Sequence, residues 1–218
     1  HVYNGYASWV YFEEILGRAS RYRAYWWSPD NKHIAYLHTD DTPVPFFPIT
    51  RSEGVHPVLE NEHYPKAGDP NPHVHLEIVQ LTTGQINKIE EDAAADQYTA
   101  WPFWTPDGKQ LIYQELNRDQ NHLKLFSFNS ETKTKKFLFE EKYPTWVEFH
   151  EKLWFTKDNS FYLIHPLDGW WNVYKYDNKS GQLQQITKLD YRVQDIVKLD
   201  ENKNQILFYG TGENHMSY

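Results

Sequence analysis

Cysteine is absent from this chain of 218 residues. Disulfides, thiol catalysis and cysteine-type zinc sites are therefore excluded. The compartment stays open, because periplasmic proteins can also lack cysteine. Methionine occurs once. Basic residues are in the minority: 22 Lys and Arg face 30 Asp and Glu, for a net charge of −8. That balance argues against a nucleic-acid partner, since phosphate binding calls for a basic stripe. It suits a cationic ligand only weakly, and its usual meaning is solubility. No apolar run approaches the ~20 residues that span a bilayer. The opening His1-Val2-Tyr3-Asn4-Gly5 lacks the basic start and apolar centre of a signal peptide, and there is no initiator Met. With an abrupt end at His215-Met216-Ser217-Tyr218, both termini are expected to have been cut from something longer.

Several chemistries are missing as well. No serine sits in a Gly-x-Ser-x-Gly elbow, and no Walker loop, HExxH helix or EF-hand loop is present. Eleven His invite a metal reading, above all His73-x-His75, whose alternation puts both on one face of a strand. No third ligand is apparent, so a solvent-facing pair is expected, with no metal and no cofactor. Asn178-Lys179-Ser180 matches a glycosylation acceptor, a pattern short enough to be accidental.

What is present is aromatic. Apolar residues reach 39% and charged residues 24%, the balance of a globular chain. Nine Trp and sixteen Tyr, with many turn signals, favour strands over helices. One pattern recurs: an aromatic strand, a Ser/Thr-Pro-Asp-Gly/Asn-Lys turn, then a second strand. It runs from Trp26 to Leu37 and from Trp101 to Tyr113. Degenerate copies span Leu153 to Ile164 and Ile196 to Tyr209. Pro presets the first turn position, and the Asp-Gly or Asp-Asn pair tolerates the left-handed residue that follows. A further strand pair follows each hairpin, as in Leu123–Asn129 before Ser130-Glu131-Thr132.

Each unit thus has four strands, and the last three repeat at about 45 residues, the signature of propeller blades. The predicted fold is all-β, a partial β-propeller of about three to four blades. Approximate units are 1–92, 93–141, 142–188 and an incomplete 189–218. An antiparallel sandwich with meander turns is the competing architecture. A partial ring would leave blade edges open, and open edges invite self-association. The first unit is oversized. It holds the proline-rich Thr42-Pro43-Val44-Pro45-Phe46-Phe47-Pro48, unsuited to a central strand. It also holds the extended His63-Tyr64-Pro65-Lys66-Ala67-Gly68-Asp69-Pro70-Asn71-Pro72. Long ordered insertions often carry binding roles.

The other singular feature is Glu13-Glu14, inside Ala7-Ser8-Trp9-Val10-Tyr11-Phe12-Glu13-Glu14-Ile15-Leu16. Adjacent carboxylates in an apolar setting repel unless a cation joins them. A ligand ammonium, such as the free amino end of a peptide, would fit. A wet helix face is the bland reading of the same two letters.

Together, Asn4-Gly5-Tyr6-Ala7-Ser8-Trp9-Val10-Tyr11-Phe12-Glu13-Glu14, Tyr25-Trp26-Trp27-Ser28-Pro29-Asp30, Thr42-Pro43-Val44-Pro45, Tyr64-Pro65-Lys66-Ala67-Gly68-Asp69-Pro70-Asn71-Pro72 and Asp168-Gly169-Trp170-Trp171-Asn172-Val173-Tyr174 resemble the dipeptidyl peptidase IV family. The resemblance covers the whole chain. It implies serine exopeptidases that remove N-terminal X-Pro or X-Ala dipeptides, with an eight-bladed propeller and an α/β-hydrolase domain. By that resemblance Glu13 and Glu14 lie on a short helix and bind the substrate's terminal ammonium. The family's outer-pocket aromatic corresponds to Phe149 or Trp146. The catalytic Ser, Asp and His would lie in the hydrolase domain, outside this chain, so the fragment alone should be inactive. The implied partners are the peptide N-terminus, the hydrolase domain and, in the parent, a second subunit. Absent cysteine is similar to bacterial members, implying a periplasmic or cell-envelope location. Ser8 and Phe12 stand where the family usually has acids, so helix packing should differ more than recognition. A parent that had lost its serine would leave the propeller as a non-catalytic binding scaffold.

Overall fold

The computed structural model describes residues 1–92 and 95–212. Residues 213–218, which close the predicted fourth unit, lie outside the described residues. The first unit contains β1 (Val2–Asn4), β2 (Tyr25–Trp27), β3 (His33–Asp40), β4 (Phe46–Arg51), β5 (Val58–His63), β6 (His73–Gln80) and β7 (Ile86–Lys88). The second contains β8 (Gln97–Trp104), β9 (Gln110–Asn117), β10 (His122–Asn129) and β11 (Lys135–Lys142). The third contains β12 (Trp154–Phe155), β13 (Phe161–His165), β14 (Asn172–Asp177) and β15 (Gln182–Gln185). A fourth begins with β16 (Val193–Asp200) and β17 (Gln205–Gly210). Within the second and third units each strand pairs antiparallel with the next in sequence.

The cores decide between propeller and sandwich. Two sheets in a sandwich share one core. Among the described residues, three clusters succeed one another, each between consecutive sheets. Ala35, Leu37, Leu76 and Ile78 of the first sheet meet Ala100, Leu111 and Tyr113 of the second. Ile112, Leu123 and Leu125 of the second meet Phe161, Leu163 and Tyr176 of the third. Val173 of the third meets Val193 and Ile196 of the fourth. Neighbouring residues in one strand feed opposite cores: Leu111 joins the first cluster and Ile112 the second. The period-2 alternation of a strand therefore serves two apolar faces, and the sheets stack as blades. The architecture is the predicted partial β-propeller.

The recurring turn forms as the sequence predicts. Ser28, Thr105 and Thr156 each donate a hydroxyl hydrogen to Asp30, Asp107 and Asp158, all at 2.6 Å. The left-handed position falls on Asn31, Gly108, Asn159 and, in the fourth copy, Asn204. The turns also touch one another across blades. Asn159 Nδ2 donates to Asp107 Oδ2 at 2.8 Å. A Cβ on Gly108 would stand 3.0 Å from Cγ of Asp30. The proline-rich stretch enters a two-stranded hairpin, β4–β5, in which Pro48 faces Asn61. It is thus no central strand, as expected from the missing amide donor.

Gly108 and Gly84 share a φ near +70°, but only Gly108 faces another turn within 4 Å. An alanine in this left-handed region costs about 1–2 kcal/mol. Gly84→Ala should pay that strain alone, whereas Gly108→Ala must also move Asp30. Thermal unfolding of the full-length variants should show the lower midpoint for Gly108→Ala; equal midpoints would refute the blade-to-blade turn contact.

Candidate functional site

The carboxylate pair lies in a loop expelled from a sheet edge. β1 and β2 both pair with β3, at Asn4↔His38 and Tyr25↔Tyr36, so residues 5–24 leave the edge and return to it. The neck is closed by Gly5 N–H to Leu37 O at 2.9 Å and Ala24 N–H to Gly5 O at 3.0 Å. Inside the loop the chain makes a π-helical turn, Tyr11–Ile15. Its wide winding is sealed by Leu16 N–H to Tyr11 O at 2.7 Å. The expected short helix is thus a single π turn, a form often found at functional sites. Arg21 and Tyr22 hold left-handed φ values of 51° and 64°. For non-glycine residues that strain persists only where packing enforces it.

The turn is bolted to the second blade. Tyr11 is fully buried, and its hydroxyl oxygen accepts from the Thr99 N–H of β8 at 3.0 Å. Burial pushes that hydroxyl's pKa far up, so it stays neutral. Trp101 donates its indole N–H to Ile15 O at 2.9 Å. It does so from φ 48°, at a bulge in β8 between Ala100 and Phe103. The bulge re-aims the indole, a common role of such irregularities. Tyr11 and Ile15 face inward, leaving Glu13 half-buried and Glu14 exposed.

The two acids differ. Glu13 Oε2 accepts from Trp9 Nε1 at 2.7 Å, and Glu13 Oε1 pairs with the Arg18 guanidinium. Glu14 makes no hydrogen bond or ion pair among the described residues. The chain itself thus supplies a cation at Glu13, while Glu14 is exposed. Ser8 is buried, and its Oγ lies at the Tyr11 amide, 3.5 Å away. Phe12 stacks on Tyr22 at 3.9 Å, and Tyr22 stacks on Tyr6 at 4.9 Å. The two departures from the family pattern thus serve the packing of the turn.

The Tyr64–Pro72 excursion comes to the same place. Tyr64 meets Trp9 edge-on at 6.1 Å, and Trp9 is the residue that holds Glu13. Farther along, Arg118 donates to Asp69 O at 2.7 Å and Asn71 donates to the Tyr98 hydroxyl at 3.0 Å. Two blade-two residues therefore pin the excursion down.

Phe149 and Trp146 line one cavity of about 170 Å³ with Glu141, His150 and Trp171. Their surroundings differ. Phe149 is half-buried and packs against the apolar cluster that contains Tyr11 and Ile15. Trp146 is 54% exposed.

Two polar clusters were invisible to sequence spacing. His73 is exposed as expected, but His75 is half-buried, so the solvent-facing pair holds for only one of them. His75 stacks on His38 at 4.6 Å and lies 3.1 Å from Glu77 Oε1. Direct cross-strand pairing of His38 with His75 supplies this neighbour, and pairing register cannot be read from local spacing. The second cluster is Glu141, His150 and His165, all buried. One carboxylate oxygen, Glu141 Oε1, lies 2.5 Å from Nε2 of both imidazoles. Burial alone would raise the Glu141 pKa; His150 and His165 outweigh it and lower it to about 2. Among the described residues, each cluster brings three potential ligand atoms within 4.8 Å of one another.

Comparison with known proteins gives a consistent picture. The family model for the dipeptidyl peptidase IV (DPP IV) N-terminal region matches residues 1–217. Dipeptidyl peptidase 4 of Trichophyton equinum is 29% identical over 224 residues, covering 96% of this chain and 28% of the relative. Dipeptidyl-aminopeptidase B of Aspergillus niger is 32% identical over 175 residues, covering 71% of this chain and 19% of the relative. The crystal structure of Porphyromonas gingivalis dipeptidyl peptidase 4 superposes with a TM-score of 0.86 at 25% identity, over 97% of this chain and 30% of that one. The chain therefore spans less than a third of the length of these relatives.

Tyr11→Phe removes the acceptor of the Thr99 amide and leaves a buried donor unpaired. The expected cost is about 1–3 kcal/mol of stability. Hydrogen exchange on the full-length protein should show it as faster exchange at Thr99 than in the wild type. Unchanged protection would mean the turn is held by other contacts.

Proposed function

This chain belongs to the dipeptidyl peptidase IV family, as a stretch of its N-terminal propeller region, and on that premise we propose that it grips the substrate's N-terminus in a serine exopeptidase releasing X-Pro and X-Ala dipeptides. The carrying observation is the asymmetry of the acids: a rigidly anchored turn presents Glu14 unpaired and Glu13 held by Trp9 and Arg18. A terminal ammonium has three N–H donors, and a carboxylate oxygen has room for more than one acceptance. An incoming ammonium would pair with Glu14 and share Glu13 with Trp9, with Arg18 already keeping the carboxylates from repelling each other. Charge-assisted bonds of this kind are worth about 1.5–3 kcal/mol each. Because the turn is tied to β8 through Tyr11 and Trp101, its anions stand at a fixed place, and a fixed anchor measures the distance to the reacting carbonyl. We assign the outer-pocket role to Phe149 rather than Trp146, because Phe149 packs against the cluster that seats the turn.

Cleavage itself belongs to a hydrolase domain beyond these residues. The parent is proposed to be a homodimer, and the surface that supports this is the β4–β5 hairpin, with Phe46, Phe47, Val58 and Leu59 all exposed. The fragment by itself offers the open edges of its blades for self-association.

In the full-length enzyme, Glu13→Ala and Glu14→Ala should each lower kcat/KM for a Gly-Pro substrate by about tenfold to a hundredfold, matching the loss of one such bond. The wild type should reject the same substrate once its amino group is acetylated. Full activity in both variants would sink the ammonium assignment. A protein that binds peptide amino termini but never cleaves them would instead be a scaffold, and its downstream sequence would lack Gly-x-Ser-x-Gly.

A further inference from the structure

The Glu141, His150 and His165 cluster lies apart from the ammonium site, and the peptidase reading gives it no task. Glu141 ends the outer strand of the second blade, on β11, while His165 ends β13 of the third. His150 belongs to the loop between β11 and β12. Its main chain is clasped by the fully buried Gln114, which donates Nε2–H to His150 O at 2.8 Å and accepts His150 N–H on Oε1 at 2.8 Å. That clasp fixes where the His150 ring starts.

The arrangement leaves one member unsatisfied. His165 is fully buried, yet neither ring nitrogen makes a hydrogen bond among the described residues. Its Nε2 is 2.5 Å from Glu141 Oε1 but without the geometry of a hydrogen bond. The hydroxyls of Tyr143 and Tyr174 are likewise buried and unpartnered, and their rings lie 6.5 Å and 5.7 Å from that of His165. Buried polar atoms are normally paired, and a leftover group calls for an ion or water. Two imidazoles and a carboxylate converging on one point are also the ligand types that bind zinc.

We propose that Glu141, His150 and His165 form a buried binding site for a divalent transition-metal ion of the zinc type. Imidazole Nε2 of each His and a carboxylate oxygen of Glu141 are the three protein ligands. Bonds of about 2.0–2.1 Å in a tetrahedral shell need ligand atoms roughly 3.3 Å apart. Glu141 Oε1 must therefore draw back from its present 2.5 Å to each imidazole, and the adjoining cavity of about 170 Å³, lined by Glu141 and His150, gives it room. The same cavity admits a water as fourth ligand, and that water would find Tyr143, which also lines it, as a partner. The ion would join two blades through side chains from both and would fix His150, whose neighbour Phe149 lines the cavity. Its role would be to stiffen the blade interface beneath that pocket. The His38, His75 and Glu77 cluster carries no such argument. His38 is bonded to Asn4, and Glu77 is shared by Tyr36 and His75.

The test uses the full-length protein, stripped with a chelator and titrated with Zn²⁺ alone and with Co²⁺ alone. One zinc per chain is expected by elemental analysis at this site, together with the visible absorption of tetrahedral Co²⁺. Zinc should also raise the unfolding temperature. Glu141→Gln, His150→Gln and His165→Gln should each remove that equivalent or weaken it by about 100-fold or more, the scale reached by losing even an outer-shell partner. His75→Gln should leave it unchanged. A wild-type protein that binds no zinc overturns the proposal, and so do folded Glu141→Gln and His165→Gln variants that keep the full equivalent and the cobalt spectrum. Circular dichroism identifies any variant that fails to fold; the wild-type titration and the remaining variants then decide. Loss of the zinc equivalent in His75→Gln but not in His165→Gln would move the site to the other cluster and likewise overturn the proposal.

Discussion

The second and third blades are buried on both faces, and that constraint shapes the rest of the molecule. Strands such as β9 cannot spend one face on solvent. Leu111 and Tyr113 go to one core while Ile112 goes to the next. Each fully buried aliphatic side chain contributes about 1.5–3 kcal/mol, so a register slip would disturb two interfaces at once. The turns obey the same constraint. With sheets stacked face to face, successive Asp-Gly and Asp-Asn turns are brought side by side, and Asp107 reaches Asn159 of the next blade.

A stack this tightly paired has no place for a ligand within a sheet. Longer excursions have to leave from the edges. Residues 5–24 leave between β1 and β2, and the stretch from β4 to Pro72 leaves between β3 and β6. Both excursions are then fastened back to the second blade, the first through Tyr11 and Trp101, the second through Asn71 and Asp69. Rigidity is borrowed from the blades, and the carboxylates inherit it. Glu13 and Glu14 are adjacent in sequence yet differ in environment, because the π turn gives one to Trp9 and Arg18 and the other to water.

The interface between the second and third blades departs from this apolar rule. Gln114 is fully buried at a strand position that could have been aliphatic, and it clasps the His150 main chain from both sides. Glu141 and two imidazoles sit beside it. Burying so many polar groups costs stability unless all are paired. The pairing is complete around Gln114 and incomplete around His165.

Much of this was legible in the sequence, for local reasons. Turn chemistry is written in consecutive residues, so Ser28-Pro29-Asp30-Asn31 and Thr105-Pro106-Asp107-Gly108 announced the hairpins, and their spacing announced the blades. Pro48 and its neighbours ruled out a central strand through a missing donor. The Glu13-Glu14 pair stood out because like charges side by side need a cation. What the sequence could not decide were contacts between residues far apart along the chain. His38 beside His75 depended on strand register, and His165 beside Glu141 depended on how one blade stacks on the next. Local chemistry fixes turns, strands and blade count, because those need only near neighbours. Which side chains share a site is set by the stacking of sheets, and only the tertiary structure contains that.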